Sequence, residues 1–138
     1  MIVDYYSRFP VIRLLNDMTS HTVCNHFTSI LAEYGLPATI VADCDLNTII
    51  SERFKTKCEQ IGITLYCSST YHHQANSLAE RSIGTCKTLL KKALEEDECP
   101  YTALWIYRIT PPDDQVPSPH ELMFGRKPQQ HSLAAKAR

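Results

Sequence analysis

A chain of 138 residues, 43% apolar and 21% charged, has the length and composition of one globular domain with a buried core. Its 14 Lys and Arg against 15 Asp and Glu leave a formal net charge of -1, which excludes a global electrostatic pull on nucleic acid and confines any such binding to a local patch. No apolar run approaches the roughly 18 residues of a membrane span, and an acid stands at Asp4, so neither a span nor a signal peptide is expected and an intracellular location follows.

In chain order, residues 1–6 and 11–15 are β-branched and aromatic runs joined through Ser7-Arg8-Phe9-Pro10, and they predict an antiparallel pair of strands. Thr19 or Ser20 caps a helix whose apolar positions Val23, Phe27, Ile30, Leu31 and Tyr34 keep helical spacing, and which ends at Gly35 before Pro37. The run 38–42 predicts a strand ending in Asp43. A helix from Ser51 with Phe54, Cys58 and Ile61 on one face follows, and Gly62 leads into a strand over 63–67. A polar loop over 68–76 precedes the longest helix, expected over 78–95, with Ile83, Cys86, Leu90 and Leu94 buried and Lys87, Lys91 and Lys92 on the exposed side. A further helix runs through Leu104, Trp105 and Tyr107. A proline-rich link over 111–117 and a short helix capped by Ser118, with Pro119 in its first turn, complete the pattern. Residues 1–128 are expected to form the domain and 129–138 a flexible tail.

Strands with interposed helices imply an α/β sheet domain. Six cysteines (Cys24, Cys44, Cys58, Cys67, Cys86, Cys99) have irregular spacing and no C-x-x-C, and most stand where an apolar residue would, so they are expected reduced and buried. Without a cysteine pair, the adjacent His72 and His73 do not predict a zinc site.

The tetrad I-V-A-D ending in Asp43 and the segment Y-H-H-Q-A-N-S-L-A-E-R carrying Glu80 resemble the catalytic core of retroviral and Ty3/gypsy-type retrotransposon integrases. The resemblance extends to Val3-Asp4-Tyr5-Tyr6-Ser7-Arg8-Phe9-Pro10, similar to that family's second strand, and to Leu122-Met123-Phe124-Gly125-Arg126-Lys127-Pro128, similar to its closing F-G-R-K-P element. It implies a ribonuclease-H-like fold, a mixed sheet flanked by helices, with Asp43 and Glu80 as catalytic and metal-binding residues. The implied cofactor is Mg²⁺ or Mn²⁺, because hard cations take oxygen ligands and a pair of them can clamp an in-line phosphoryl displacement. The implied substrate is DNA rather than a small molecule, and Gln74, Asn76 and Lys87 are the implied nucleic-acid contacts. Gln74 and Asn76 would lie in the loop over the site, and Lys87 two helical turns after Glu80 on nearly the same face.

The family's first catalytic Asp lies on a strand ahead of the one resembling residues 1–6, and this sequence starts after it. Asp4 is the available substitute, but it matches the second strand, a neighbouring position displaced by about 4.8 Å. Asp45 rivals Asp43, since Cys44-Asp45-Leu46-Asn47 stands where N-G-P-Q is usual; the I-V-A-D context favours Asp43. His73 replaces a usual Pro, Ser77 a usual Gly, and Ile83-Gly84 a usual Asn and basic residue.

The expectation is therefore an integrase core lacking its first strand, marginally stable alone, with open strand edges that favour self-association. The function expected is DNA integration by ancestry, inactive as an isolated chain, with a domesticated module that binds nucleic acid or protein without catalysis as the alternative. Nuclear location is implied by the resemblance only.

Overall fold

The computed structural model describes residues 1–43, 51–68 and 73–129, and its elements follow the order ββαβαβααα. They divide into two compact units, one of residues 13–76 and the other of residues 1–12 with 77–138.

In the unit of residues 13–76, helix α1 (Ser20–Tyr34) starts at the N-cap Thr19, whose hydroxyl accepts from the Thr22 N–H, and stops at Gly35 with φ 89°. That backbone conformation costs a glycine little. Strand β3 (Thr39–Asp43) pairs in parallel with β4 (Thr64–Ser68), in the register Ile40 with Leu65 and Asp43 with Ser68. Between them runs α2 (Glu52–Gln60), capped by Ser51. The alternation of the strands turns Ile40 and Leu65 onto the core, while Val41 and Tyr66 stay about half exposed. Cys24, Phe27, Phe54, Cys58 and Ile63 form that core, with the Phe27 and Phe54 rings 5.0 Å apart. Ile61, expected on the buried face of α2, instead caps the helix and is exposed. The core place falls to Ile63, whose N–H bonds the Cys58 carbonyl.

In the other unit, β1 (Ile2–Val3) and β2 (Pro10–Val11) make an antiparallel ladder much shorter than the runs 1–6 and 11–15 suggested. The cause is local. The Asp4 carboxylate accepts from the Ser7 N–H at 2.8 Å and the Ser7 hydroxyl at 2.7 Å, closing a turn. Pro10 brings no N–H to the ladder, and the Arg108 guanidinium donates to its carbonyl at 2.6 and 3.1 Å. Arg108 also lies 4.3 Å over the Phe9 ring, which meets Phe124 edge-on.

Helix α3 (His73–Glu95) begins before the expected residue 78, so the loop over 68–76 is shorter than the sequence suggested. Its buried positions are Ser82, Cys86 and Ala93, whereas Leu94 is 67% exposed. Small side chains, rather than the largest apolar ones, mark the face packed against the chain. Helix α4 (Pro100–Ile109) buries Leu104 and Ile109. Helix α5 (Pro119–Phe124) starts at Ser118, whose hydroxyl accepts from the Glu121 N–H, and ends at Gly125 with φ 69°. Among the described cysteines, Cys24, Cys58 and Cys86 are buried free thiols and Cys99 is exposed. The tail expected over 129–138 lies, but for Gln129, outside the described residues.

Candidate functional site

Asp43 ends β3, the position that the I-V-A-D pattern gives it, because β-branched Ile40 and Val41 favour the strand. Its side chain, with those of Gln74 and Asn76, lies outside what the structure describes. Asp45, Tyr71 and His72 lie outside the described residues. The structure does place Gln74 and Asn76 in the opening turns of α3 rather than in a loop, and makes His73 its first residue.

Glu80 stands on the third turn of α3 and is exposed, and Lys87 follows on the same helix, also exposed. Seven residues are about two turns at 3.6 residues per turn, so both project from nearly one face. Asp43 belongs to the unit of residues 13–76 and Glu80 to the other. The positive charge of Lys87 also reaches the start of β1: the Met1 amino group is held below its ordinary value, first by burial and then by Lys87. Further along, Lys91 and Lys92 lean toward Glu95 and Glu96 at 3.7 and 3.8 Å. Pairs of this kind on an exposed helix contribute little to stability. Lys87 itself has no acid at its i+4 position, which is Lys91.

Asp4 is spent elsewhere. One of its carboxylate oxygens takes both Ser7 hydrogen bonds, and that commitment shapes the turn before β2. Ser7 itself is 1% exposed and its hydroxyl also accepts from the Phe9 N–H at 3.2 Å, so the Asp4 carboxylate serves a structural network. A hard divalent ion needs several oxygen ligands. Among the described residues no three His, Cys, Asp or Glu side chains converge.

Sequence reading passed over Arg8 and Arg108. Arg8 holds a left-handed backbone at φ 62° and carries an Nη1 that is buried without a hydrogen-bond partner. A basic residue in a tight turn was the available signal, and its conformation was not visible in it.

No protein-family model matches the chain, and no curated protein matches it. Solved structures do. The HTLV-2 integrase catalytic core domain, in complex with magnesium, aligns at a TM-score of 0.68 and 20% identity over 88% of this chain and 80% of its own. The BIV integrase catalytic core aligns at 0.73 and 17% identity, over 99% of this chain and 87% of its own. A chain of the simian T-cell lymphotropic virus intasome aligns at 0.73 and 23% identity, covering 94% of this chain and 48% of that one. The fold is thus the ribonuclease-H-like α/β fold of integrase catalytic cores. Identities of 17–23% carry the fold and leave the chemistry to the residues. No helix among the described residues is long and apolar enough to cross a membrane.

Proposed function

We propose that this chain is a nucleic-acid-binding integrase core of the retrotransposon Ty3/gypsy type, a DNA polynucleotidyl transferase by descent that does not join DNA by itself. The observation that carries this reading is the alignment of 88–99% of the chain with retroviral integrase cores, in which the two motif acids occupy a strand end and the long helix. Within these 138 residues the candidate acids are Asp43, Asp45 and Glu80, since Asp4 is committed to Ser7. On this reading Asp43 and Glu80 are the catalytic and metal-binding pair, and Mg²⁺ or Mn²⁺ binds weakly to two acids alone. When bound, such ions would stabilise the attacking and leaving oxygens of a phosphodiester.

Gln74, Asn76 and Lys87 hold DNA, and copies of the chain associate in that role; the HTLV-2 catalytic core itself occurs in dimeric and trimeric forms. A nuclear location goes with a DNA substrate. The net charge of -1 makes binding depend on the local cations of α3 rather than on the field of the whole molecule.

The test is joining of a labelled DNA end to a target in Mg²⁺ or Mn²⁺ by the purified chain. No joined product is expected. Metal-dependent joining that is abolished by Glu80→Gln would overturn the non-catalytic part of the proposal. For binding, Lys87→Ala is expected to weaken affinity uniformly across sequences and to reduce the slope of log affinity against log salt by about 1. An unchanged salt slope removes Lys87 from the interface.

A further inference from the structure

In the unit of residues 1–12 and 77–138, a groove of about 1160 Å³ runs between α3 and α4. The two helices lie antiparallel here: at the middle of α3, Ser82 and Cys86 interact with the Tyr107 hydroxyl near the end of α4. At this end the groove is lined by Arg8, Arg81, Ser82, Thr85 and Tyr107. Leu89, Ala93 and Ile106 continue it as an apolar trough, and Glu96 and Glu98 stand beside Lys92 at the far end.

We propose that the Arg8–Arg81 end of this groove is an oxyanion-binding site, taking a phosphate or carboxylate head group carried on an apolar body. This goes beyond the DNA-joining reading and does not rest on it.

Three independent features of Arg8 meet at this point. Its backbone occupies the left-handed region at φ 62°, a conformation that costs a non-glycine residue energy and that clusters at functional sites. Its Nη1 is buried with no hydrogen-bond partner among the described residues, so a donor of a permanently charged group lacks its acceptor. The guanidinium carbon lies over the Tyr5 ring, 4.9 Å from its centroid, a cation–π contact that helps to hold the side chain in place. Asp4, the acid closest in sequence, has turned its carboxylate to Ser7 and does not neutralise it.

The surrounding groups fit an anion as well. Arg81 adds a second guanidinium, and the Thr85 hydroxyl adds a donor. Burial pushes the Tyr107 phenol above its ordinary value, with Ser82 and the Arg8 charge pulling the other way and Cys86 adding to the rise, so the hydroxyl stays protonated at neutral pH, accepting from Ser82 and donating to Cys86. Glu96 and Glu98 repel an anion from the far end and so orient an amphipathic ligand with its head at Arg8.

The test uses the whole purified chain and follows its thermal midpoint at constant ionic strength as NaCl is replaced by sodium phosphate or by sodium acetate. A saturable rise is expected, since a ligand that binds the folded state raises its stability. A rise with phosphate alone marks a phosphate head group and a rise with acetate a carboxylate. Arg8→Gly is the first variant, because glycine accepts φ 62° and the turn should persist without the guanidinium. Arg81→Gln is the second, and it leaves the turn untouched. Each is expected to weaken the apparent anion affinity by about tenfold or more, the loss of one charge-assisted contact. The proposal is overturned if the wild type shows no dependence on either anion, or if Arg81→Gln retains the wild-type affinity.

Discussion

Replacing Arg108 by Met keeps most of the side-chain length and removes the fork that ties α4 to β2. The guanidinium donates through Nε at 3.1 Å and Nη2 at 2.6 Å to the carbonyl of Pro10, a residue less than 2% exposed, so water is poorly placed to substitute. A hydrogen bond to a charged group is worth about 1.5–3 kcal/mol, and the two are counted once because they share an acceptor. The cation 4.3 Å over the Phe9 ring adds about 0.5–1 kcal/mol. The expected loss is about 3 kcal/mol, large against the roughly 5–15 kcal/mol of a whole domain. Urea unfolding followed by Trp105 fluorescence reads this unit directly, because the single tryptophan lies on α4. At about 1–3 kcal/mol per molar of urea, the midpoint should fall by about 1–3 M. Arg108→Lys, which keeps the charge without the fork, should lose about half as much. A Met variant with the wild-type midpoint, or one no weaker than the Lys variant, refutes the assignment of Arg108 as the clamp.

Two further outcomes follow from the titrating groups. The exposed Cys99 thiol is lowered from its ordinary value by the backbone N–H groups of Thr102 and then Tyr101 at the start of α4, whereas burial raises Cys58 and Cys86. Iodoacetamide near neutral pH, with the modified peptides mapped by mass, should therefore label Cys99 ahead of Cys58 and Cys86; labelling of Cys58 or Cys86 at an equal rate contradicts the buried placement. Asp17 is lowered to about 2, chiefly by the Thr19 hydroxyl at 2.7 Å, with Thr22 and the Thr19 N–H contributing. A depressed carboxylate stabilises the fold fully above its unfolded value and loses that contribution as pH falls through its folded one, here between about pH 4 and about pH 2. Urea midpoints across that window should fall less in Asp17→Asn than in the wild type, and equal slopes would remove Asp17 from the capping network of α1.

Much of the fold was legible locally. The helix starts at Ser51 and Ser118 and the stop at Gly35 are where sequence reading put them, and Thr19 is one of the two caps it offered for α1, because capping is a bond between near neighbours. The βαβ segment through Asp43 was readable from its β-branched run and the Phe54–Cys58 spacing for the same reason. The buried face of α3 was legible only in part: Cys86 was read as buried and is. Apolar size pointed to Leu94, but the face that packs carries Ser82, Cys86 and Ala93, where small side chains let another element approach closely. The short β1–β2 ladder was also missed, since β propensity speaks for each run separately and not for the Asp4–Ser7 turn or for the missing donor at Pro10.

By itself, then, the sequence determined the order of elements, their caps and the placement of Asp43 at a strand end and Glu80 on the long helix. Each depends on side chains a few positions apart. Only the tertiary structure decided that Asp4 spends its carboxylate on Ser7, that Arg108 reaches Pro10 98 positions away, and that Arg8 is left with an unpartnered donor in a strained turn. These depend on which groups meet in space, and long polar side chains carry no periodicity that announces their partners.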